Sequence, residues 1–142
     1  MTESKIALIT GANRGIGKSI LQLLANNGFT VVGTSRSSEG VTEIEKTLSD
    51  IKGVGCGMVF DVTDKNAVEA LNIEIKNKYG NISVLINNAG ITMDNLLIRM
   101  SEDEWNTVIE TNLTSIYRVT KQFVKDMMKD RYGRVINIGS VV

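Results

Sequence analysis

The segment ALITGANRGIGKS, Ala7 to Ser19, is where this sequence first offers chemistry. It fits two phosphate-binding patterns at once. From Gly11 it reads as a strand followed by G-x-x-x-G-x-G, a relative of the dinucleotide fingerprint, which implies redox chemistry with a nicotinamide cofactor. From Ala12 it reads as A-x-x-x-x-G-K-S, one residue away from the nucleoside-triphosphate loop G-x-x-x-x-G-K-[ST], which implies phosphoryl transfer with Mg²⁺. In the first reading Gly11 allows a tight turn. Gly15 and Gly17 remove side chains where backbone meets pyrophosphate and where helix meets strand. In the second, Lys18 reaches the β/γ-phosphates, Ser19 holds the metal and Asp61 supplies another acidic ligand. Ala12 stands where that loop usually has glycine, and Gly15 and Gly17 have no task in it. The spacing favours the dinucleotide loop, with a P-loop NTPase as the alternative.

The next informative residues are in GTSRSS, 33–38. An NAD site wants an acidic side chain at this corner for the ribose 2′-hydroxyl, and an NADP site wants cations for the 2′-phosphate. Here Arg36 sits among hydroxyls, the nearest acid is Glu39, and Arg14 in the glycine loop can form a second jaw. Guanidinium forks suit a phosphate dianion, so NADP(H) is the expected cofactor. The plain alternative for each arginine is a solvated surface residue.

Other chemistries are excluded by composition. There is no histidine, which removes Ser-His hydrolysis and most zinc sites. The single cysteine, Cys56, has no partner for a disulfide or a metal cluster and reads as core, so no metal is expected. Lys+Arg and Asp+Glu are 16 each, so no strong field recruits nucleic acid or an anionic membrane. One cysteine and no signal-peptide pattern point to the cytoplasm.

The elements that must position these residues alternate regularly. Strands are predicted over 5–10, which reads as buried, and over 30–35, 54–60, 83–88 and 134–139. Between them, Ile16, Ile20, Leu23 and Leu24 fall at helical spacing before an Asn27-Gly28 stop, and Ile44 and Leu48 share a helix face. Thr63 caps a helix to Tyr79 with Ala67, Leu71 and Ile75 on one side and Gly80 as its stop. Ser101 to Glu104 is a capping box, and a long helix covers about 112–130. Strands alternating with helices mean a doubly wound parallel α/β sheet of Rossmann type, here a five-strand portion, in one domain over 1–142. Its ligand lies at the carboxyl ends of the strands, where the sequence places Gly11–Gly17, Ser35-Arg36, Asp61, Asn88-Ala89-Gly90 and Ser140.

TGANRGIG (10–17), DVTD (61–64), NNAG (87–90), TNLTS (111–115) and INIGS (136–140), in this order, closely resemble the short-chain dehydrogenase/reductase family across the whole chain. NNAGITMDNLLIRM, WNTVIETNL and GRVINIGSVV resemble its branch of bacterial NADPH-dependent ketoreductases, which reduce 3-oxoacyl thioesters on acyl carrier protein in fatty-acid synthesis. The resemblance implies that Gly11, Asn13, Arg14, Gly15, Ile16 and Gly17 form the pyrophosphate loop, and that the P-loop match is accidental. It implies Arg36 at the 2′-phosphate, Asp61 and Val62 at the adenine, and Asn88, Ala89 and Gly90 beside the ribose. It implies that Asn112 holds a water in the proton relay and that the Ser140 hydroxyl bonds the substrate carbonyl. Asn87 is expected to tie the strand end to its neighbours.

The family's remaining catalytic pair, a tyrosine and a lysine four residues later, is implied beyond Val142. The chain is therefore expected to lack the C-terminal part of the domain and to be inactive alone. It is then either an incomplete rendering of a longer enzyme or a truncated nucleotide-binding or interaction module. Tyr117 and Lys121 have the same spacing but precede Ser140, in a helix the family uses for subunit contact, and are not assigned to catalysis. A homotetramer is implied. Lys129, Arg131 and Arg134, with Lys121 and Lys125 before them, are expected to form a basic patch at the site mouth for acidic acyl carrier protein, with Arg131 as the matching contact. The alternative is a cationic helix end complementing the macrodipole.

Overall fold

The computed structural model describes residues 5–141. Residues 1–4 and 142, which the expected domain includes, lie outside the described residues. In chain order the elements are β1 (Ile6–Ile9), α1 (Gly15–Asn26), β2 (Thr30–Ser35), α2 (Ser38–Asp50), β3 (Gly55–Val59), α3 (Ala67–Lys78), β4 (Val84–Asn87), α4 (Glu102–Ile109), α5 (Ser115–Lys129) and β5 (Arg134–Asn137). A 3₁₀ turn (Leu97–Arg99) precedes α4, and a π turn (Glu110–Thr114) joins α4 to α5. The strands are parallel in the order β3-β2-β1-β4-β5. The fold is the expected doubly wound sheet. Its order reverses at β1, so the connections leaving β1 and β4 diverge and open a crevice at their carboxyl ends.

The central strands β1, β2 and β4 are buried along their length because both faces of the sheet are covered there. On one face Ala7, Ile9, Val31, Val84 and Ile86 pack with Leu21 of α1 and Ile44 and Leu48 of α2. On the other, Leu8, Val32, Cys56 and Leu85 pack with Leu71 and Ile75 of α3 and Val119, Phe123 and Met127 of α5. Each fully buried aliphatic or aromatic side chain contributes about 1.5–3 kcal/mol. No helix among the described residues is long and apolar enough to cross a membrane.

Three local expectations are corrected. In α1 the buried residues are Gly17 and Leu21; of the four apolar residues at helical spacing, Ile20 and Leu24 pack half-buried against the core, whereas Ile16 and Leu23 are 62% and 63% exposed. Close contact of Gly17 with Gly11 sets the rotation of the helix: a Cβ on Gly17 would lie 2.1 Å from the Gly11 carbonyl oxygen. Thr63 does not cap α3, which starts at Ala67 after Asn66. Instead the Thr63 hydroxyl (2.7 Å) and amide (2.9 Å) both donate to Asp61 Oδ1, closing a turn ahead of the helix. The long helix begins at Ser115, and Asn112 lies in the π turn. There the Ser115 amide reaches back to the Glu110 carbonyl, and the Ser115 hydroxyl donates to the Thr111 carbonyl.

Candidate functional site

A cleft of about 780 Å³ opens at the carboxyl ends of the strands, within the range of small-molecule sites. Gly11, Asn13, Arg14, Gly15 and Ile16 line it from the loop after β1. Ser35, Arg36 and Ser37 line it after β2, Phe60, Asp61 and Val62 after β3, and Asn88, Ala89, Gly90 and Ile91 after β4, with Thr111 from the π turn. Of the residues expected to hold a cofactor, only Gly17 is outside the lining. It acts from behind, by letting α1 approach the loop. A second cavity of about 700 Å³ lies at the amino ends of the strands, away from these loops, against Lys5, Thr30, Ser83 and Tyr132.

The loop suits an anionic ligand. Gly11 and Gly15 have φ of +65° and +59°, a region that L side chains enter at a cost. A Cβ on Gly15 would meet nothing within 4 Å, so the loop presents bare backbone to open space. The amino end of α1 has no side-chain cap and no acidic residue in its first turn, leaving its amide groups for a ligand. By contrast α2 and α4 are closed by Ser37 and Ser101. Lys18 and Ser19, which the P-loop alternative needs, do not line the cleft.

Each wall is braced from outside. At β2, Ser35 Oγ accepts the Ser37 amide (3.3 Å) and Ser37 Oγ accepts the Gly40 amide (3.1 Å). Those hydroxyls are spent on starting α2, and Arg36 between them is exposed to the cleft. At β3, partial burial pushes the Asp61 carboxyl up in pKa. The hydrogen bonds from Thr63 and the charge of Arg36 outweigh it, leaving the carboxyl below its usual range. At β4, Thr10 is the staple the sequence did not flag. Its Oγ1 accepts the amides of Asn88 and Ala89, both at 3.0 Å. Asn88 Nδ2 donates to the carbonyls of Thr10 (3.2 Å) and Gly11 (3.0 Å), so its side chain joins β4 to the glycine loop. Asn87 ties β4 to its neighbours as expected, donating to Thr120 Oγ1 (3.1 Å) and Asn137 Oδ1 (2.9 Å).

Asn112 grips the segment after β4. Its Oδ1 accepts the Ile91 amide (2.8 Å) and its Nδ2 donates to the Ile91 carbonyl (2.7 Å). Gly90 makes this possible, since a Cβ there would lie 2.9 Å from Asn112 Oδ1. The Asn112 side chain thus holds backbone, with half of its four-bond capacity used.

A family model described as short chain dehydrogenase matches residues 5–142. The chain belongs to the short-chain dehydrogenase family. It is 50% identical over 140 residues to the 3-oxoacyl-[acyl-carrier-protein] reductase FabG of Haemophilus influenzae, covering 99% of this chain and 57% of that protein. It is 51% identical to the Vibrio cholerae FabG and 48% identical to that of Escherichia coli K12, again over 99% of this chain and 56% of each relative. A solved structure of an actinorhodin polyketide ketoreductase variant with NADPH superposes with a TM-score of 0.94 at 37% identity, covering 96% of this chain and 53% of that one. The chain thus spans about 57% of the length of the curated relatives it matches.

Other residues singled out in this short-chain dehydrogenase lie apart from the cleft. Ser140 follows β5 and is exposed, outside the lining. Tyr117 is 64% exposed, and Lys121 Nζ donates to its hydroxyl (3.3 Å), also outside the lining. The basic patch is not at the cleft mouth. Lys129, Arg131 and Arg134 lie between the end of α5 and the start of β5, at the amino ends of the strands, where Lys5 Nζ donates to Tyr132 (2.8 Å). A parallel strand must begin at the end of the sheet opposite its site, which the charge pattern alone did not convey.

Proposed function

We propose that the cleft binds NADP(H) and that the whole protein reduces the 3-oxo group of acyl thioesters carried on acyl carrier protein. The observation that carries this reading is Arg14 and Arg36 in the lining of one cleft that also contains the bare glycine loop. The loop and the uncapped start of α1 receive the pyrophosphate, and the arginines receive the 2′-phosphate. Val62 and Asp61 face the adenine, and Asn88-Ala89-Gly90 lie along the ribose. When bound, the nicotinamide supplies the hydride. Asn112, by fixing Ile91, keeps the wall on the reaction side in place, and Ser140 orients the substrate carbonyl. Among the described residues no tyrosine, lysine or histidine lines the cleft. The proton donor is therefore proposed to lie in the length of the relatives that this chain does not span.

The FabG relatives' names support the thioester substrate and the carrier protein. Since Arg131 is at the other end of the sheet, it would meet a carrier protein only across a subunit boundary. The exposed Leu113, Tyr117 and Met128 on the π turn and α5 are the proposed subunit contact, in a tetramer. The test is an NADPH-oxidation assay on the full-length protein with an acetoacetyl thioester. Turnover with NADPH is expected. Hydrolysis of MgATP without nicotinamide binding would contradict the reading. In the same protein Arg131→Glu should slow the carrier-protein substrate and spare a small thioester, and equal loss on both would point to stability instead.

A further inference from the structure

Arg118 lies inside the segment that resembles a catalytic Y-x-x-x-K, and the site as described gives it no role. Its side chain is only 19% exposed, although it sits on α5. One guanidinium nitrogen donates to the carbonyls of both Val62 and Thr63 (3.4 Å each), and another pairs with Glu110 Oε1 (2.8 Å). Val62 lines the cleft, and Glu110 opens the π turn whose Asn112 grips Ile91. A half-buried guanidinium is costly unless its donors are met. Here they are met by two loops that belong to opposite ends of one ligand site.

We propose that Arg118 is a positioning residue that straps the Val62–Thr63 wall to the π turn holding Asn112 and Ile91, so that occupancy of the adenine side steadies the reaction side. The inference rests on the reading of the cleft as a dinucleotide site. An ionised planar fork is suited to this task, because it bonds carbonyls in one direction and a carboxylate in another without adjustment. Lysine has one point of charge and cannot hold both loops in the same way.

The test uses the full-length protein and adenosine 2′,5′-bisphosphate, a probe that carries the adenine and 2′-phosphate but no nicotinamide. Binding is followed by calorimetry, and hydrogen exchange is followed at the Ile91 amide. In the unaltered protein the probe should bind and slow exchange at Ile91. Arg118→Met should weaken the probe roughly five- to tenfold and abolish the slowing. Glu110→Gln should act in the same direction, and the double variant should be no worse than Arg118→Met alone. Should Arg118→Met fail to fold, Arg118→Lys serves, with partial loss of affinity and loss of the slowing expected. Unchanged affinity and retained slowing in a folded Arg118 variant would overturn the strap alone. Additive losses in the double variant would do the same. No binding of the probe by the unaltered protein would overturn the dinucleotide reading and the strap with it.

Discussion

The two edges of the sheet differ. At the β3 edge the outer strand contains Gly55 and Gly57, and Glu45 of α2 reaches over to accept the Gly57 amide (2.9 Å). The neighbouring β2 is buried along its whole length. At the β5 edge all residues of the strand are exposed, with Val135 at 38% and Ile136 at 47%. Natural sheets guard such edges with charge, cover or a bulge, and an apolar unguarded edge invites pairing with another chain. The half that holds the proposed cofactor therefore carries its own supports, while the half that holds Ser140 needs a cover. We propose that the remaining length of the relatives supplies it.

The largest effect expected from this difference is on activity. Made as these 142 residues alone, the chain should have no ketoreductase turnover, since loss of a general acid costs about 10²–10⁴-fold. It should also self-associate through β5 and the exposed apolar residues of α5. An NADPH-oxidation assay with an acetoacetyl thioester, run beside near-UV circular dichroism, checks both. A well-folded chain that turns over would dissolve the contrast between the halves.

Next in size is Gly17→Ala, which should cost about 3 kcal/mol or more of stability, because its Cβ would meet the Gly11 carbonyl oxygen and Asn88 Nδ2 (2.5 Å). Gly15→Ala meets no atom and should cost only about 1–2 kcal/mol through its positive φ. Thermal melts of the two variants separate packing from strain within one loop.

Asp126→Asn should cost about 1–3 kcal/mol, because Asp126 is buried on α5 and paired with Lys76 of α3 (2.7 Å). The Lys76 bond holds the Asp126 carboxyl below its usual range despite burial. Its contribution is thus complete above the unfolded value near pH 4 and is lost as pH falls through the lowered folded value. Unfolding titrations at pH 7 and pH 3 should show the variant's deficit shrinking at the lower pH.

The sheet and the cleft lining were largely legible because their signals are local. Short apolar runs, glycines at strand ends and the pair of arginines each announce their position. What was not legible depends on contacts distant in sequence. Thr10 matters through Asn88 and Ala89, and Arg118 through Val62 and Thr63, so neither stands out by periodicity. On α1 apolar spacing places Ile20 and Leu24 on the core, whereas close backbone approach at Gly17 turns Ile16 outward. The place of the basic patch is not legible, because charge pattern does not say at which end of the sheet a segment lies.

We propose that the cleft is an NADP site set by Arg14 and Arg36. The most direct measurement is calorimetric titration of the full-length protein and its Arg36→Asp variant with NADPH and NADH. The unaltered protein should prefer NADPH by about tenfold or more, as one charge-assisted contact implies. Arg36→Asp should bring that ratio to unity or reverse it. Equal affinity for the two cofactors in the unaltered protein, or a ratio untouched by the substitution, would contradict the assignment.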